Sequence, residues 1–512
     1  MLFNSIDFLF LFLPTCLVGF FLLQELGNRQ AVMIWLVACS LFFYGWWNPA
    51  YLPLLLLSLT VNYLVGRHLY IAGKNTSSTW LWLGIIFNIG LLGHFKYANF
   101  FIDTLTTLSS TNFNFERIIL PLAISFYTFQ QITYLVDARR GKLKPHSFLE
   151  YSLFVAFFPQ LIAGPIVHHS EMLAQFHKLV DRGRRFENLV VGSSILTIGL
   201  FKKTVVADTF AQFATPAFSL AGVGYELSTL DSIFGALSYA FQLYFDFSGY
   251  SDMAIGLACM FGLRLPVNFF SPYRAQNISD FWRMWHATLS RFLRDYVYSG
   301  LGGFMCSPRR QRFNLFATMF LGGLWHGAGW TFVVYGVLHG SYVVIHQLWR
   351  IRVSGPLNLV GRRDYKAAAQ CFTFCLVVLT LVVFRADSLA EASNFYLAFG
   401  RWNDFDFSAD YLTSLQSVGS LKAASQLLGG VHVGLPVAVS LASALFVCWF
   451  LPSTFQLFRS LNVMIDKPLA GRASVIGFCW SPSQMWAIII AVMAAASMLN
   501  LTQASEFLYF QF

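Results

Sequence analysis

Apolar runs recur along nearly the whole chain, and that recurrence limits what it can fold into more than any motif does. Phe8 to Leu23, Ala31 to Phe43, Tyr51 to Leu64, Ile119 to Val136, Leu189 to Leu200, Ser232 to Leu243, Phe332 to Ile345, Cys371 to Phe384, Leu435 to Leu451 and Met485 to Leu499 follow one another with only short polar intervals. Charged residues make up 11% of the 512 positions and hydrophobic ones 56%, whereas a soluble chain carries about a quarter charged residues. Lipid is therefore the expected solvent, and the expected class is all-α: a multi-pass integral membrane protein. Several runs fall short of the roughly 20 apolar residues that cross a bilayer. Kinks, aromatic flanks or burial inside a bundle must supply the rest. The expectation is about ten to twelve transmembrane helices, with broken or re-entrant ones around a central chamber.

The first apolar run has no basic segment before it and no small-residue cleavage site after Leu23, so it reads as a retained helix. The net charge of +10 does not point to nucleic acid, because Lys and Arg fall in short clusters between apolar runs. These are Arg139, Arg140, Lys142 and Lys144; Lys178, Arg182, Arg184 and Arg185; Arg309, Arg310 and Arg312; and Arg350, Arg352, Arg362, Arg363 and Lys366. The positive-inside bias places those loops in the cytoplasm and the stretches Asp103 to Asn114 and Asn403 to Ser420 outside. The eight cysteines are scattered, and the one close pair, Cys371 and Cys375, lies a helical turn apart in an apolar run. No zinc or disulfide spacing is present.

No repeat or long linker divides the chain, so a single domain over 1–512 is expected, with its catalytic core at about 120–350. Within that core, polar and ionisable residues interrupt the apolar sequence, and at membrane depth such groups mark function more often than decoration.

Four stretches stand out. The first, Asn277 to Asp295, reads as one amphipathic helix with Ser279 as its N-cap and Asp280 in its first turn. At about 100° per residue, Arg283, Arg291 and Arg294 share a sector with His286 beside it, opposite Trp282, Trp285, Leu289, Phe292 and Leu293. Such a basic stripe either meets lipid phosphates or holds the phosphates of an acyl-CoA donor while His286 faces a reaction chamber. The second, Leu321-Gly-Gly-Leu-Trp-His-Gly-Ala-Gly-Trp330, sets four glycines around His326. Glycine weakens helices, so lipid-facing filler has no reason to carry four of them, and His326 reads as placed rather than incidental. His339 follows thirteen residues later. On an unbroken helix it points nearly opposite to His326, which makes it a structural residue.

The third stretch, Tyr244 to Gly256, carries Asp246 and Asp252, which lie about 120° apart around a helix. They form no facing carboxylate pair, so Asp246 is expected to orient a partner or to pair with an arginine. The fourth, Phe157 to Ile166, sets Pro and Gly in an apolar run, which requires the freed backbone groups to meet protein or to line a cavity and implies a broken or re-entrant helix near the site. Phosphate loops, Gly-x-Ser-x-Gly elbows, paired Cys-x-x-Cys and His-Glu-x-x-His are all missing, so ATP, serine-hydrolase and zinc chemistry lose ground.

Taken together the motifs resemble those of the membrane-bound O-acyltransferase superfamily, in its bacterial branch that holds alginate O-acetyltransferase and the D-alanyl transferase of teichoic acids. The resemblance runs through Met1-Leu-Phe-Asn-Ser with Phe8 to Pro14, Leu122 to Gln130, Phe158 to Pro165 and the Asp246 segment. It continues through Phe281-Trp-Arg-Met-Trp-His286, Leu293-Arg-Asp-Tyr296, Gly322-Gly-Leu-Trp-His-Gly327 and the closing Phe507 to Phe512. Both ends of the chain are closer to the alginate members. The sequence departs from the family at Met284, where Arg is usual, and at Ser299-Gly-Leu-Gly-Gly-Phe304, where Ile-Pro-Leu-Gly-Gly-Asn is common.

The resemblance implies that His326 is the catalytic histidine, with His286 the second site residue. It also implies an acetyl group taken from acetyl-CoA, no bound cofactor, and a cell-surface polysaccharide such as alginate as acceptor. Periplasmic acetyltransferase partner proteins are expected to complete the transfer from the bacterial inner membrane, with lipid and not nucleic acid as the surroundings. Two rivals remain open: D-alanyl transfer from a carrier protein, and a transporter of donor or glycan that uses the histidines as a proton relay.

Overall fold

The computed structural model describes residues 1–73, 78–109, 116–401, 405–416, 434–461, 463–465, 478–501 and 508. Residues 110–114 of the first expected outside stretch, 403–404 and 417–420 of the second, and the closing hexapeptide apart from Leu508 lie outside that range. All regular structure among the described residues is helical. Among the described residues, five helices are long and apolar enough to cross a bilayer: Asp7–Glu25, Pro49–Ala72, Ser78–Ser109, Arg185–Gly222 and Arg363–Arg385. Three shorter apolar helices, Arg29–Gly45, Gly434–Phe450 and Gln484–Leu499, accompany them. The apolar run that ends at Val136 becomes a helix that also buries polar side chains. Helix Ile124–Arg139 buries Ser125, Thr128, Gln130, Gln131, Thr133 and Asp137 along with its apolar residues.

The packing resolves into two compact units. One comprises Met1–Leu200, Tyr250–Val267 and Leu461–Lys467, the other Phe201–Gly249, Asn268–Ser460 and Pro468–Phe512.

In the first unit, polar side chains tie apolar helices together. Ser58 Oγ and Asn62 Nδ2 donate to Gln131 Oε1 at 2.7 and 2.9 Å, and Asn88 Nδ2 donates to Asn62 Oδ1 at 2.6 Å. Lipid supplies no hydrophobic drive between helices, so such hydrogen bonds, at about 0.6 kcal/mol each on average, carry part of the association. The expected break at Phe157 is also here. Helix Phe148–Ala156 ends there, a single turn Phe158–Leu161 follows with Pro159 in it, and everything from Phe157 to Val167 is buried. Ser40 Oγ accepts from the freed Phe158 N–H at 3.1 Å, so protein replaces the missing helical partner.

The second unit holds the motif histidines, and its helices are broken where the sequence suggested continuity. The stretch from Asn277 is not one amphipathic helix. Helix Ile278–Met284 is capped by Asn277, whose side chain accepts from Asp280 N, rather than by Ser279. It stops at Trp285, His286 adopts φ 42°, and a new helix, Ala287–Phe292, runs into a π-helical segment, Leu293–Tyr298. The first helix stops because its next residues bury their side chains in the unit, with Trp285 3% and His286 0% exposed. A second π segment, Lys202–Ala207, follows the helix that begins at Arg185. Such bulges cluster at functional sites.

Candidate active site

His326 is the last residue of helix Pro308–His326, and Gly327-Ala-Gly329 turns the chain into helix Trp330–Trp349. The two helices pack against each other backbone to backbone. A Cβ on Gly323 would lie 2.4 Å from the Gly336 Cα and 2.9 Å from the Phe332 carbonyl oxygen. A Cβ on Gly327 would overlap the Phe332 ring at 2.1 Å. Gly323 and Gly327 are thus the condition for this hairpin, which sets His326 at its apex. The imidazole is 2% exposed and packs edge to face on Phe384 at 5.3 Å and on Tyr335 at 5.9 Å between centroids.

The break after His326 also overturns the face argument for His339. With two helices in place of one, His339 lies within 4.4 Å of the Tyr335 ring that also borders His326. It is a buried, hydrogen-bonded core residue all the same, since its Nδ1 accepts from Trp282 Nε1 at 3.1 Å.

His286 arrives from the other broken segment. Its left-handed backbone is a conformation that costs a residue with a Cβ about 1–3 kcal/mol and persists only where the surroundings enforce it. Phe247 meets the imidazole edge to face at 4.8 Å. Trp325 lies 5.9 Å from His286 and 5.0 Å from His326, centroid to centroid, so both histidines pack on one indole.

Asp246 is buried and pairs with a lysine rather than an arginine. Lys203 Nζ lies 2.8 Å from Asp246 Oδ1 and 2.9 Å from Asp208 Oδ1, and Leu508 N donates to Asp246 Oδ2 at 3.2 Å. A lysine between two carboxylates, hydrogen-bonded further by backbone, is a form in which buried charge is tolerated. Asp246 thus anchors the element that carries Phe247, and Phe247 is the ring that packs on His286.

The arginines lie apart from this interior. Arg283 and Arg294 have side chains 72% and 61% exposed, and they pair with Asp280 at 3.6 Å and Asp295 at 2.7 Å. Arg291 is half-buried. Because the helix breaks at His286, they do not form one continuous stripe with it.

Sequence reading missed Lys203, Asn268 and Tyr335. Lys203 carried a usable signal, since Lys202 and Lys203 interrupt an apolar run and a lysine at membrane depth is a functional candidate by default. Asn268 and Tyr335 carried none, because their importance comes from residues distant in sequence.

Residues 93–372 match the family model described as MBOAT, membrane-bound O-acyltransferase family. The chain is 44% identical over 419 residues to the peptidoglycan O-acetyltransferase of Helicobacter pylori, covering 77% of this chain and 78% of that protein. It is 41% identical over 443 residues to the probable alginate O-acetylase of Pseudomonas aeruginosa, covering 84% and 81%. The probable alginate O-acetylase of Pseudomonas putida aligns over the full length of both chains at 36% identity.

Proposed function

Because the chain belongs to the membrane-bound O-acyltransferase family and is an O-acyltransferase, we propose that it transfers acetyl from cytoplasmic acetyl-CoA toward a hydroxyl of a cell-surface glycan, with His326 as general base. The observation that carries this reading is that both motif histidines, one from each broken segment, pack edge to face on the Trp325 indole.

The chemistry needs little more than this. A neutral imidazole takes the proton of the attacking hydroxyl as its oxygen adds to the thioester carbonyl. The C–S bond then breaks, the ester C–O bond remains, and the proton passes from the imidazole to the departing thiolate. Burial of the pair among Phe247, Trp325, Tyr335 and Phe384 keeps bulk water away from the thioester, whose hydrolysis would waste the donor. A membrane location follows from the same reading: coenzyme A stays in the cytoplasm while the glycan lies outside, so the site must be reachable from both faces of the inner membrane. Periplasmic acetyltransferase partners would carry the group onward. The similar proteins are named for alginate and for peptidoglycan, and both are glycans with free hydroxyls.

His326→Ala or His326→Gln should lower glycan acetylation by about 10²–10⁴ at equal membrane level, the usual effect of losing a general base. Acetyl ester content of alginate and of peptidoglycan, measured by mass spectrometry in the same strains, identifies the acceptor. Release of free coenzyme A by purified protein tests the donor; consumption of a D-alanyl thioester on a carrier protein instead would replace acetyl transfer by the rival. Retention of more than about a tenth of the wild-type rate by His326→Ala would rule out its role as base.

A further inference from the structure

Asn268 sits directly after the segment that ends at Val267 and is completely buried. Its side-chain oxygen faces three donors from one short stretch: His286 Nδ1 at 3.0 Å, Thr288 Oγ1 at 2.9 Å and Thr288 N at 3.4 Å. Its main-chain carbonyl accepts from Ala287 N at 2.9 Å. Asn268 thus bonds to each residue of the turn from 286 to 288, and that turn contains the left-handed backbone of His286.

These contacts also fix protons. A backbone N–H can only donate, so the side-chain atom of Asn268 that faces Thr288 N is the amide oxygen, and the flipped amide would set two N–H groups against each other. An amide oxygen can only accept. The ring nitrogen of His286 that lies 3.0 Å from it must therefore carry a hydrogen. When His286 is neutral, the hydrogen is on Nδ1 and the lone pair is on Nε2.

We propose that Asn268 is a positioning residue of the acyl-transfer site, which holds His286 in the Nδ1–H tautomer so that its Nε2 presents a lone pair to the site as a hydrogen-bond acceptor. A neutral His286 in this tautomer cannot donate from Nε2 to a thioester oxyanion, so the task of steadying that charge falls to other donors. The inference rests on the reading of His286 as a working member of the site, and the experiment separates the two.

The test is acyl transfer as a function of pH by the full-length protein in lipid nanodiscs, for wild type, Asn268→Asp, Asn268→Ala, Thr288→Val and His286→Ala. Asn268→Asp keeps an acceptor oxygen but adds a negative charge beside the ring, which favours the protonated imidazole. The acidic limb of the profile should move upward by about one unit or more, with activity recovered at alkaline pH. Asn268→Ala should lose activity at every pH by more than tenfold, and Thr288→Val, which removes only one of the bonds to Asn268, should lose less. An acidic limb that stays in place for Asn268→Asp while His286→Ala is inactive would overturn the role given to Asn268. Full activity of His286→Ala would instead remove His286 from the site. Nitrogen-15 spectra of histidine-labelled wild type serve as a second measurement that needs no Asn268 variant to fold. The His286 resonances, assigned by their loss in His286→Ala, should show an unprotonated Nε2 and a protonated Nδ1. The opposite tautomer also overturns the proposal.

Discussion

Trp282 Nε1 donates a 3.1 Å hydrogen bond to His339 Nδ1, and the two rings meet edge to face with centroids 5.1 Å apart. This bond joins helix Ile278–Met284 to helix Trp330–Trp349, so it braces one of the two broken segments of the site against the other. His339→Ala would leave the indole N–H buried without its acceptor and open a cavity beside Tyr335. The expected cost is about 2–4 kcal/mol, read as a lower unfolding temperature of the detergent-solubilised protein. Activity per folded molecule should stay within tenfold of wild type. A collapse of activity at unchanged stability would move His339 into the chemistry.

The Lys203 triad should matter to folding before it matters to turnover. Lys203→Met leaves Asp208 and Asp246 as buried carboxylates without the cation between them, a change expected to cost about 3–5 kcal/mol. The fraction of protein that elutes as a folded species in detergent should fall sharply. Adding Asp246→Asn to Lys203→Met removes one of the two buried negative charges and should restore part of the loss. Wild-type levels for Lys203→Met would show that the triad is dispensable.

Glycines of one motif should differ in tolerance according to what lies beside them. Gly323→Ala places a Cβ against the Gly336 and Phe332 backbones, which cannot move without opening the hairpin. Gly329→Ala meets only side-chain atoms, at 3.6 and 3.8 Å, which is ordinary contact. Acetylation should therefore be lost in the first and largely kept in the second at matched expression. Equal outcomes would mean that the close helix approach does not place His326.

Arg283 and Arg294 are exposed, and their carboxylate partners Asp280 and Asp295 are still partly open to solvent, so removing the arginine charges should leave the fold intact. If they receive the phosphates of acyl-CoA, Arg283→Gln with Arg294→Gln should raise the donor KM with little change in kcat, and added salt should narrow the difference from wild type. An unchanged donor KM across salt concentrations assigns these arginines to lipid phosphates.

Composition and patterning alone showed that this chain lives in lipid and that it is helical, and the motifs singled out His286 and His326 as candidates for its chemistry. Each of those conclusions follows from a local property. Sparse charge excludes a soluble fold, lipid demands internally paired backbone, and four glycines crowd one histidine. The break at Phe157 was equally legible, because proline and glycine act on their immediate neighbours.

Packing, in contrast, set where helices stop and which groups meet. Periodicity assumes that a helix persists, so it carried the basic stripe through His286 and set His339 opposite His326. In the fold both helices end, because burying Trp285 and His286 in one case, and bringing Gly323 against Gly336 in the other, requires a change of direction. The partners were likewise hidden. Lys203 meets Asp246, Asn268 meets His286 and Trp282 meets His339 across gaps of many helical turns, and no local pattern encodes a pairing that exists only once the chain has packed.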